Sequence, residues 1–252
     1  MTDPKQLVNV RMDIAWAQFE QLRDAFIALS EEWNSHPDPE PQPGGVTYLY
    51  RANVTEVDLV LRVQTGAFVH QVRSTLDNIA WTFAVTVKPE PGRVSFPICR
   101  SRAEFDRASW TRLLGPSAQC VSIAESFQPY NRPEGRCLLA LHALWNLDKH
   151  RAPSVLPVIP THVRLFRKAK SPRPVSTKLY LPRGGKPVEN GRVLARVVMP
   201  STSDAPPLGG AVLRPALDSR RLPPSERILP NALCEMFRYV RYDMMPPLLR
   251  LL

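Results

Sequence analysis

The chain has 252 residues, of which 44% are apolar, and a net charge of +10. This length suffices for one large or two modest hydrophobic cores. No apolar run approaches the ~20 residues that a membrane helix needs, and residues 1–6 lack the apolar segment of a signal peptide. We therefore expect a cytoplasmic protein without membrane contact. The four cysteines are widely spaced and form no CxxC pair, which excludes a zinc ribbon and a disulfide framework.

The excess of positive over negative charge lies entirely in the C-terminal part of the chain. Residues 1–150 carry 15 of the 33 Lys and Arg and 17 of the 23 Asp and Glu, which leaves 18 basic and 6 acidic residues for 151–252. From Lys149 to Lys186 there are ten basic residues and no acidic one. Such a segment attracts RNA or another polyanion, because each neutralised phosphate releases counterions. A solvated basic surface without a ligand is the alternative.

The first predicted element is a long helix with an apolar stripe. Its apolar residues recur at alternating spacings of four and three, namely Val8, Met12, Ala15, Phe19, Leu22, Phe26, Leu29 and Trp33. This pattern is typical of helices packed along a seam. The partner helix belongs either to the same chain or to a second copy, which would make a homodimer. The proline-rich segment 37–45 predicts a semi-rigid linker without regular structure.

Two further helices carry most of the polar side chains. One is predicted from about Arg62 to Val87, and on it His70, Arg73 and Asp77 share a face because they lie three and four residues apart. The other begins near Pro133 and ends before Pro153. On this helix His142, Asn146 and His150 form a polar stripe at spacings of four. The pair Arg73 and Asp77 can form a salt bridge within the first of these helices.

The remaining segments predict an antiparallel sheet and a closing helix. Short β-prone runs separated by Pro, Gly and Ser turns predict four or five strands between 152 and about 222. A helix follows to Leu252, interrupted at Pro246-Pro247. The sequence therefore predicts an α+β fold, with a helical bundle over 1–151, a basic antiparallel β insertion over 152–222, and a C-terminal helix over 223–252 that packs back on the bundle.

Four motifs carry a resemblance to a group of uncharacterised bacterial proteins. They are RSTLDNIAW at 73–81, FPI at 96–98, QPY at 128–130 and NLDKHR at 146–151. The resemblance covers roughly residues 60–155. It implies that the RSxLD helix and the NxDKHR helix end belong to one unit, and it implies no particular activity.

The two polar helices also resemble the HEPN superfamily, whose helical bundles include metal-independent ribonucleases and toxins. In the HEPN motif four to six residues separate an arginine from a histidine, and Arg136 and His142 satisfy this spacing. Cys137 stands where that motif usually has a polar residue. The likeness is an analogy of fold class, and it implies a ribonuclease of a defence or toxin system.

Cleavage of RNA by its own 2′-hydroxyl needs a proton carrier and a cation. His150 has the intrinsic pKa to move protons near neutral pH, and Lys149 or Arg151 can stabilise a phosphorane-like transition state. Asp77 or Asp148 would orient the imidazole. The candidate catalytic residues are His150, Lys149, Arg73, Asp77 and Asp148, and the candidate ligand-binding residues are Asn146, Arg151, His142, Arg164, Arg167, Lys168 and Lys170.

The same residues also fit a structural role. Asp148 can neutralise Arg73 across two helices, and cations at the end of a helix favour the negative end of its dipole. The alternative function is therefore a non-catalytic interaction protein whose Arg/Asp/His network only locks helices together. The chain contains no HExxH, Walker A, GxGxxG or GxSxG motif, so we expect neither a metal nor a cofactor.

Overall fold

The computed structural model describes residues 3–87, 90, 92, 94–108, 118–150, 157–166, 173–182, 186–200, 208–217 and 223–252. It confirms the predicted α+β class, with helices and antiparallel sheets. The helices are α1 (Pro4–Glu32), α2 (Leu59–Val87), α3 (Arg102–Arg107), α4 (Ala118–Ser126), α5 (Arg136–His150), α6 (Asn231–Arg238) and α7 (Met245–Leu249). The strands are β1 (Asn34–Gln42), β2 (Gly45–Asn53), β3 (Val158–Phe166), β4 (Ser176–Leu179), β5 (Val193–Pro200) and β6 (Leu208–Pro215). Across these ranges, no helix combines the length and apolarity needed to cross a bilayer.

The apolar stripe of α1 is buried inside the chain. Val8, Met12 and Phe26 are fully enclosed in the main core. The Phe19 ring lies 6.2 Å from that of Phe68 on α2. On its other side α1 meets α6, where the rings of Trp16 and Phe237 are 5.0 Å apart. The seam of this helix is therefore filled by helices of the same chain.

The C-terminal segment packs on the bundle through a continuous helical path. Its predicted apolar positions are all buried, namely Leu233, Met236, Phe237, Val240 and Met244. The predicted interruption at Pro246-Pro247 is wrong, because α7 includes both prolines. A π-helical segment, Tyr239–Met244, precedes α7. The prolines lie in the first turn of α7, where proline is tolerated because the first N–H groups of a helix have no partner within it.

The proline-rich segment is a β-strand, so the predicted irregular linker at 37–45 is wrong. Residues Asn34–Gln42 form β1 and pair with β2, and a turn at 43–44 joins the two strands. Pro37, Pro39 and Pro41 take alternate positions of β1, which lies at the edge of its sheet. In an edge strand every second N–H points away from the sheet, so a proline there removes no ladder hydrogen bond.

The strands form two antiparallel sheets, not the single sheet that the sequence predicts. One has the order β1-β2-β5-β4, and the other pairs β3 with β6. Strands from before α2 thus join strands from after α5. A second core, consisting of Tyr48, Tyr50, Ala195, Val197 and Met199 with Val163 packed against it, lies on the inner face of the larger sheet. The sheets meet closely where Ser35 Oγ accepts a hydrogen bond from the Ala211 N–H at 2.7 Å. A Cβ at neighbouring Gly210 would lie 2.6 Å from that oxygen.

Candidate functional site

Arg73 and Asp77 form the predicted ion pair, and together they hold the segment that precedes α3. Arg73 Nη2 lies 3.1 Å from Asp77 Oδ1 and donates to the Phe96 carbonyl at 2.9 Å. Asp77 Oδ1 accepts from the Phe96 N–H at 2.8 Å. The side chain of Arg73 is 2% exposed and that of Asp77 is 22% exposed. Both backbone polar groups of the buried Phe96 are therefore bound by one helix.

Gln128 binds the next residues of the same segment. Its Nε2 donates to the carbonyls of Pro97 at 3.0 Å and Ala124 at 3.1 Å, and its Oε1 accepts from the Cys99 N–H at 2.9 Å. Gln128 is fully buried. Three of the four motifs found in the sequence, RSxLD, FPI and QPY, are thus parts of one hydrogen-bond network. We call Arg73, Asp77 and Gln128, with the bound segment 96–99, the loop clamp.

The loop clamp adjoins the helix that carries the fourth motif. The guanidinium carbon of Arg73 lies 5.4 Å from the centre of the Trp145 ring on α5, within cation–π range. His142 stacks on the same Trp145 with ring centroids 6.2 Å apart. Its Nε2 is 3.1 Å from Asn146 Nδ2. The RSxLD helix and the helix containing Asn146 are therefore neighbours in the bundle.

The electrostatics of Arg73 are those of an enclosed cation. Burial lowers the pKa of the guanidinium, and the adjacent Asp77 carboxylate partly offsets this by raising it. Arginine nonetheless stays protonated in proteins. Among the described residues its Nε and Nη1 have no hydrogen-bond acceptor. These observed contacts of Arg73 and Asp77 hold chain segments together.

For most of the other predicted site residues the structure describes no side chain. Asp148, Lys149 and His150 lie in the last turn of α5, and Arg164 lies in β3. The structure describes the backbone of these four residues and not their side chains. Arg151, Arg167, Lys168 and Lys170 lie outside the described residues altogether. Catalysis at the end of α5 therefore stays a prediction.

A second polar group, which the sequence reasoning missed, lies on the larger sheet. Leu49, Arg196 and Lys178 are directly paired across β2, β5 and β4. Because side chains alternate along a strand, these three lie opposite the inner core. We call this side of the larger sheet the outer face. It contains a groove of about 530 Å³ lined by Glu40, Leu49, Tyr180, Arg192, Val193 and Arg196.

The cations of the outer face differ in their ionic partners. Arg51 is paired, with its Nε 3.3 Å from Asp38 Oδ2 and its Nη2 3.7 Å from Glu40 Oε1. Lys178, Arg192 and Arg196 form no ion pair with any acidic residue that the structure describes. Lys178 and Arg192 are exposed, and Arg196 is half-buried. Three cations without a described acidic partner therefore lie at or beside the groove.

A second cavity extends the same basic surface. It has a volume of about 380 Å³ and is lined by Leu181, Pro182, Lys186, Pro187 and Arg192. Arg192 thus lines both cavities. The strand pattern contained a signal for this surface, because Lys178 and Tyr180 lie two residues apart and so share a face. The sequence could not show that Arg192 and Arg196 lie beside them.

Comparisons with known proteins assign no function to the loop clamp or to the outer face. No family model matches the chain, and no similar protein was found among curated proteins or solved structures. Within the part of the chain that the structure describes, no group of three or more His, Cys, Asp or Glu is placed to hold a metal ion.

Proposed function

We propose that this chain is a bacterial nucleic-acid-binding protein that holds a phosphate backbone on its outer face. The observation that carries the proposal is the gathering of Lys178, Arg192 and Arg196 around one groove without acidic partners among the described residues. Two are arginines, whose planar donor groups match phosphate oxygens. Cytoplasmic location, where RNA is accessible, is part of the same proposal.

The proposal predicts strong dependence of binding on salt. A single-stranded nucleic acid releases counterions when a protein cation neutralises a phosphate, and the slope of log affinity against log salt changes by about 0.7 per contact. The bundle has a balanced charge, whereas the C-terminal part has a large basic excess. Lys178, Arg192 and Arg196 belong to this basic part of the chain.

The test is the affinity for labelled single-stranded RNA, measured by fluorescence anisotropy over a range of salt concentrations. Changing Lys178, Arg192 and Arg196 together to Gln should weaken binding and reduce the salt slope by about 2. The matched control, Lys5, Arg100 and Arg107 changed to Gln, removes the same charge from exposed positions of the helical part. Equal salt slopes for the two triple variants would contradict the proposal.

Ribonuclease activity at the end of α5 is a second candidate function. It is supported by the contact of Arg73 with Trp145, five residues before His150, because this contact brings a cation and a carboxylate close to that helix end. The test compares wild type, His150→Ala and the control His70→Ala for RNA cleavage in EDTA at low salt. We expect loss of cleavage only in a folded His150→Ala protein. Cleavage that survives this change, or is absent from wild type, would refute the activity.

Homodimerisation through α1 is a separate proposal. The heptad residues are buried within the chain, so a dimer would use the exposed residues Leu7, Val10 and Ile14 on a different side of α1. We expect Val10→Glu with Ile14→Glu to convert a dimer into a monomer, as measured by light scattering. A monomeric wild type, or a dimer that persists in this variant, would exclude the interface.

A further inference from the structure

The groove on the outer face is lined by the aromatic ring of Tyr180. Tyr180 directly follows β4, and its N–H donates to the Leu194 carbonyl at 2.8 Å. Its backbone is therefore held by the adjacent strand. Lys178 Nζ lies 5.3 Å from the centre of the Tyr180 ring. A cation and an aromatic ring thus occupy the same side of this sheet edge.

The floor of the groove is apolar. Leu49 is 9% exposed and lies between the strands that carry Glu40 and Arg196. Leu49, Val193 and the Tyr180 ring contribute apolar surface, while Arg192 and Arg196 contribute charge. A simple polyanion would use only the cations. The combination suits a ligand that has a flat apolar part and an attached anion.

The charges indicate how such a ligand would lie. Glu40 lines the groove on the β1 side and is held there by Arg51, whose Nη2 is 3.7 Å from Glu40 Oε1. Arg192 and Arg196 line it from β5 and the residue before it. A phosphate is repelled by Glu40 and attracted by the two arginines. The anion therefore belongs beside β5, and the flat part belongs against Tyr180 and Leu49.

We propose that the groove takes an unstacked nucleobase of a single-stranded nucleic acid, with the Tyr180 ring as its stacking surface and Arg192 and Arg196 on the adjoining phosphates. This inference rests on the proposed function and names its ligand class. Every base has a π-face, so stacking of this kind tolerates many sequences. The bases of a duplex are already stacked within it, so a duplex would contact this face only through its phosphates.

The experiment measures the affinity of Tyr180 variants for three probes. They are a labelled single-stranded 12-mer RNA, the corresponding duplex, and heparin, which has charge and no bases. We expect Tyr180→Ala to lose about tenfold in affinity for the single strand and to keep its affinity for the duplex and heparin. Tyr180→Phe should bind like wild type, because the ring is retained. Tyr242→Ala is the matched control, since it removes an exposed tyrosine from the C-terminal helical segment.

The outcomes separate this inference from the proposed function. If the Lys178/Arg192/Arg196 variant loses affinity while Tyr180→Ala binds the single strand like wild type, base stacking is overturned and the basic face stands. Equal loss for single strand and heparin in Tyr180→Ala would also overturn stacking. If wild type binds none of the three probes, both proposals fail. Far-ultraviolet circular dichroism of each variant ensures that lost binding is not lost folding.

Discussion

The loop clamp and the outer face both use arginine, and they use it in opposite ways. In the loop clamp Arg73 is 2% exposed, and its Nη2 binds a carboxylate and a backbone carbonyl. On the outer face Arg192 is exposed, and no described acidic residue pairs with it. A buried arginine that binds acceptors of its own chain stabilises the fold. An exposed arginine without an acidic partner is available to bind an anionic ligand.

This difference changes the interpretation of the sequence motifs. RSxLD, FPI and QPY carry the resemblance described from the sequence, and the structure joins them in hydrogen bonds around residues 96–99. The groove residues belong to no motif. A sequence motif therefore need not mark a ligand site. Variants that change the loop clamp and the outer face separately test whether the first stabilises the fold and the second binds nucleic acid.

The largest expected effect is that of breaking the ion pair in the loop clamp. Asp77→Ala leaves the buried Arg73 without its carboxylate and the Phe96 N–H without its acceptor. We expect a loss of roughly 3 kcal/mol in the free energy of unfolding, measured by urea denaturation. RNA binding by the folded protein should stay unchanged.

The chain contains a matched control for this change. Arg102 and Asp106 form another pair four residues apart, with side chains 63% and 53% exposed. Such exposed pairs contribute only about 0.3 to 0.5 kcal/mol. Asp106→Ala should therefore cost much less than Asp77→Ala. Similar costs for the two changes would show that the clamp pair is not structural.

A somewhat smaller effect is expected at Gln128. Gln128→Met has a similar shape and leaves the Cys99 N–H and the carbonyls of Pro97 and Ala124 without their partner. Leaving a buried polar group unsatisfied costs about 1 to 3 kcal/mol. We expect a net loss of about 2 kcal/mol in thermal or urea unfolding. Asn131→Ala, which removes one exposed hydrogen bond to the Glu125 carbonyl, should change stability far less, and an equal loss would contradict this role.

The prolines of β1 should affect association more than stability. Changing Pro37, Pro39 and Pro41 to Val restores N–H groups that point away from the sheet, and an exposed row of such groups pairs with other chains. The variant should keep the circular dichroism of wild type and form larger species in light scattering. A variant that unfolds, or that stays as dispersed as wild type, would show that the prolines do not protect this edge.

The smallest effect concerns the cysteines. Burial raises the pKa of Cys99 to about 11 and that of Cys120 to about 12, from an ordinary value of 9.0. Cys99 and Cys120 should therefore react slowly with Ellman's reagent at pH 8 in the native protein, whereas all four cysteines react in urea. Since folding favours the neutral thiol, this contribution to stability is complete below pH 9 and is lost as the pH rises further. Rapid modification of Cys99 or Cys120 in the native protein, located by mass spectrometry of its peptides, would contradict the burial of these two groups.

Local patterns predicted much of the bundle and the strands β3 to β6 between 152 and 222, but not β1 or the way in which the strands pair. The spacing of Phe19, Leu22 and Phe26 marks the buried stripe of α1 whatever its partner is. The strand at 34–42 was missed because proline is rare in strands. It is tolerated at the edge of a sheet, and the sequence does not show that residues 34–42 lie at an edge. The pairing of β2 with β5 joins residues such as Leu49 and Arg196, which are far apart in sequence, so no local signal reveals it.

The candidate site was predictable to a similar extent. The Arg73–Asp77 pair followed from helical spacing, since both partners lie on one element. Their attachment to Phe96 depends on how a distant segment crosses α2, which spacing does not contain. The groove was missed because it is assembled from Leu49 on β2, Arg196 on β5 and Tyr180 directly after β4.

Cross-linking to RNA tests most directly whether nucleic acid binds at the outer face and not at the loop clamp. Single-stranded RNA containing 4-thiouridine is irradiated with the protein, and the linked tryptic peptides are identified by mass spectrometry. We predict cross-links in the peptide of residues 179–183, which contains Tyr180, and none in residues 73–81. Cross-links in 73–81 or in 137–149 without any in 179–183 would contradict the account and place the nucleic acid at the helices.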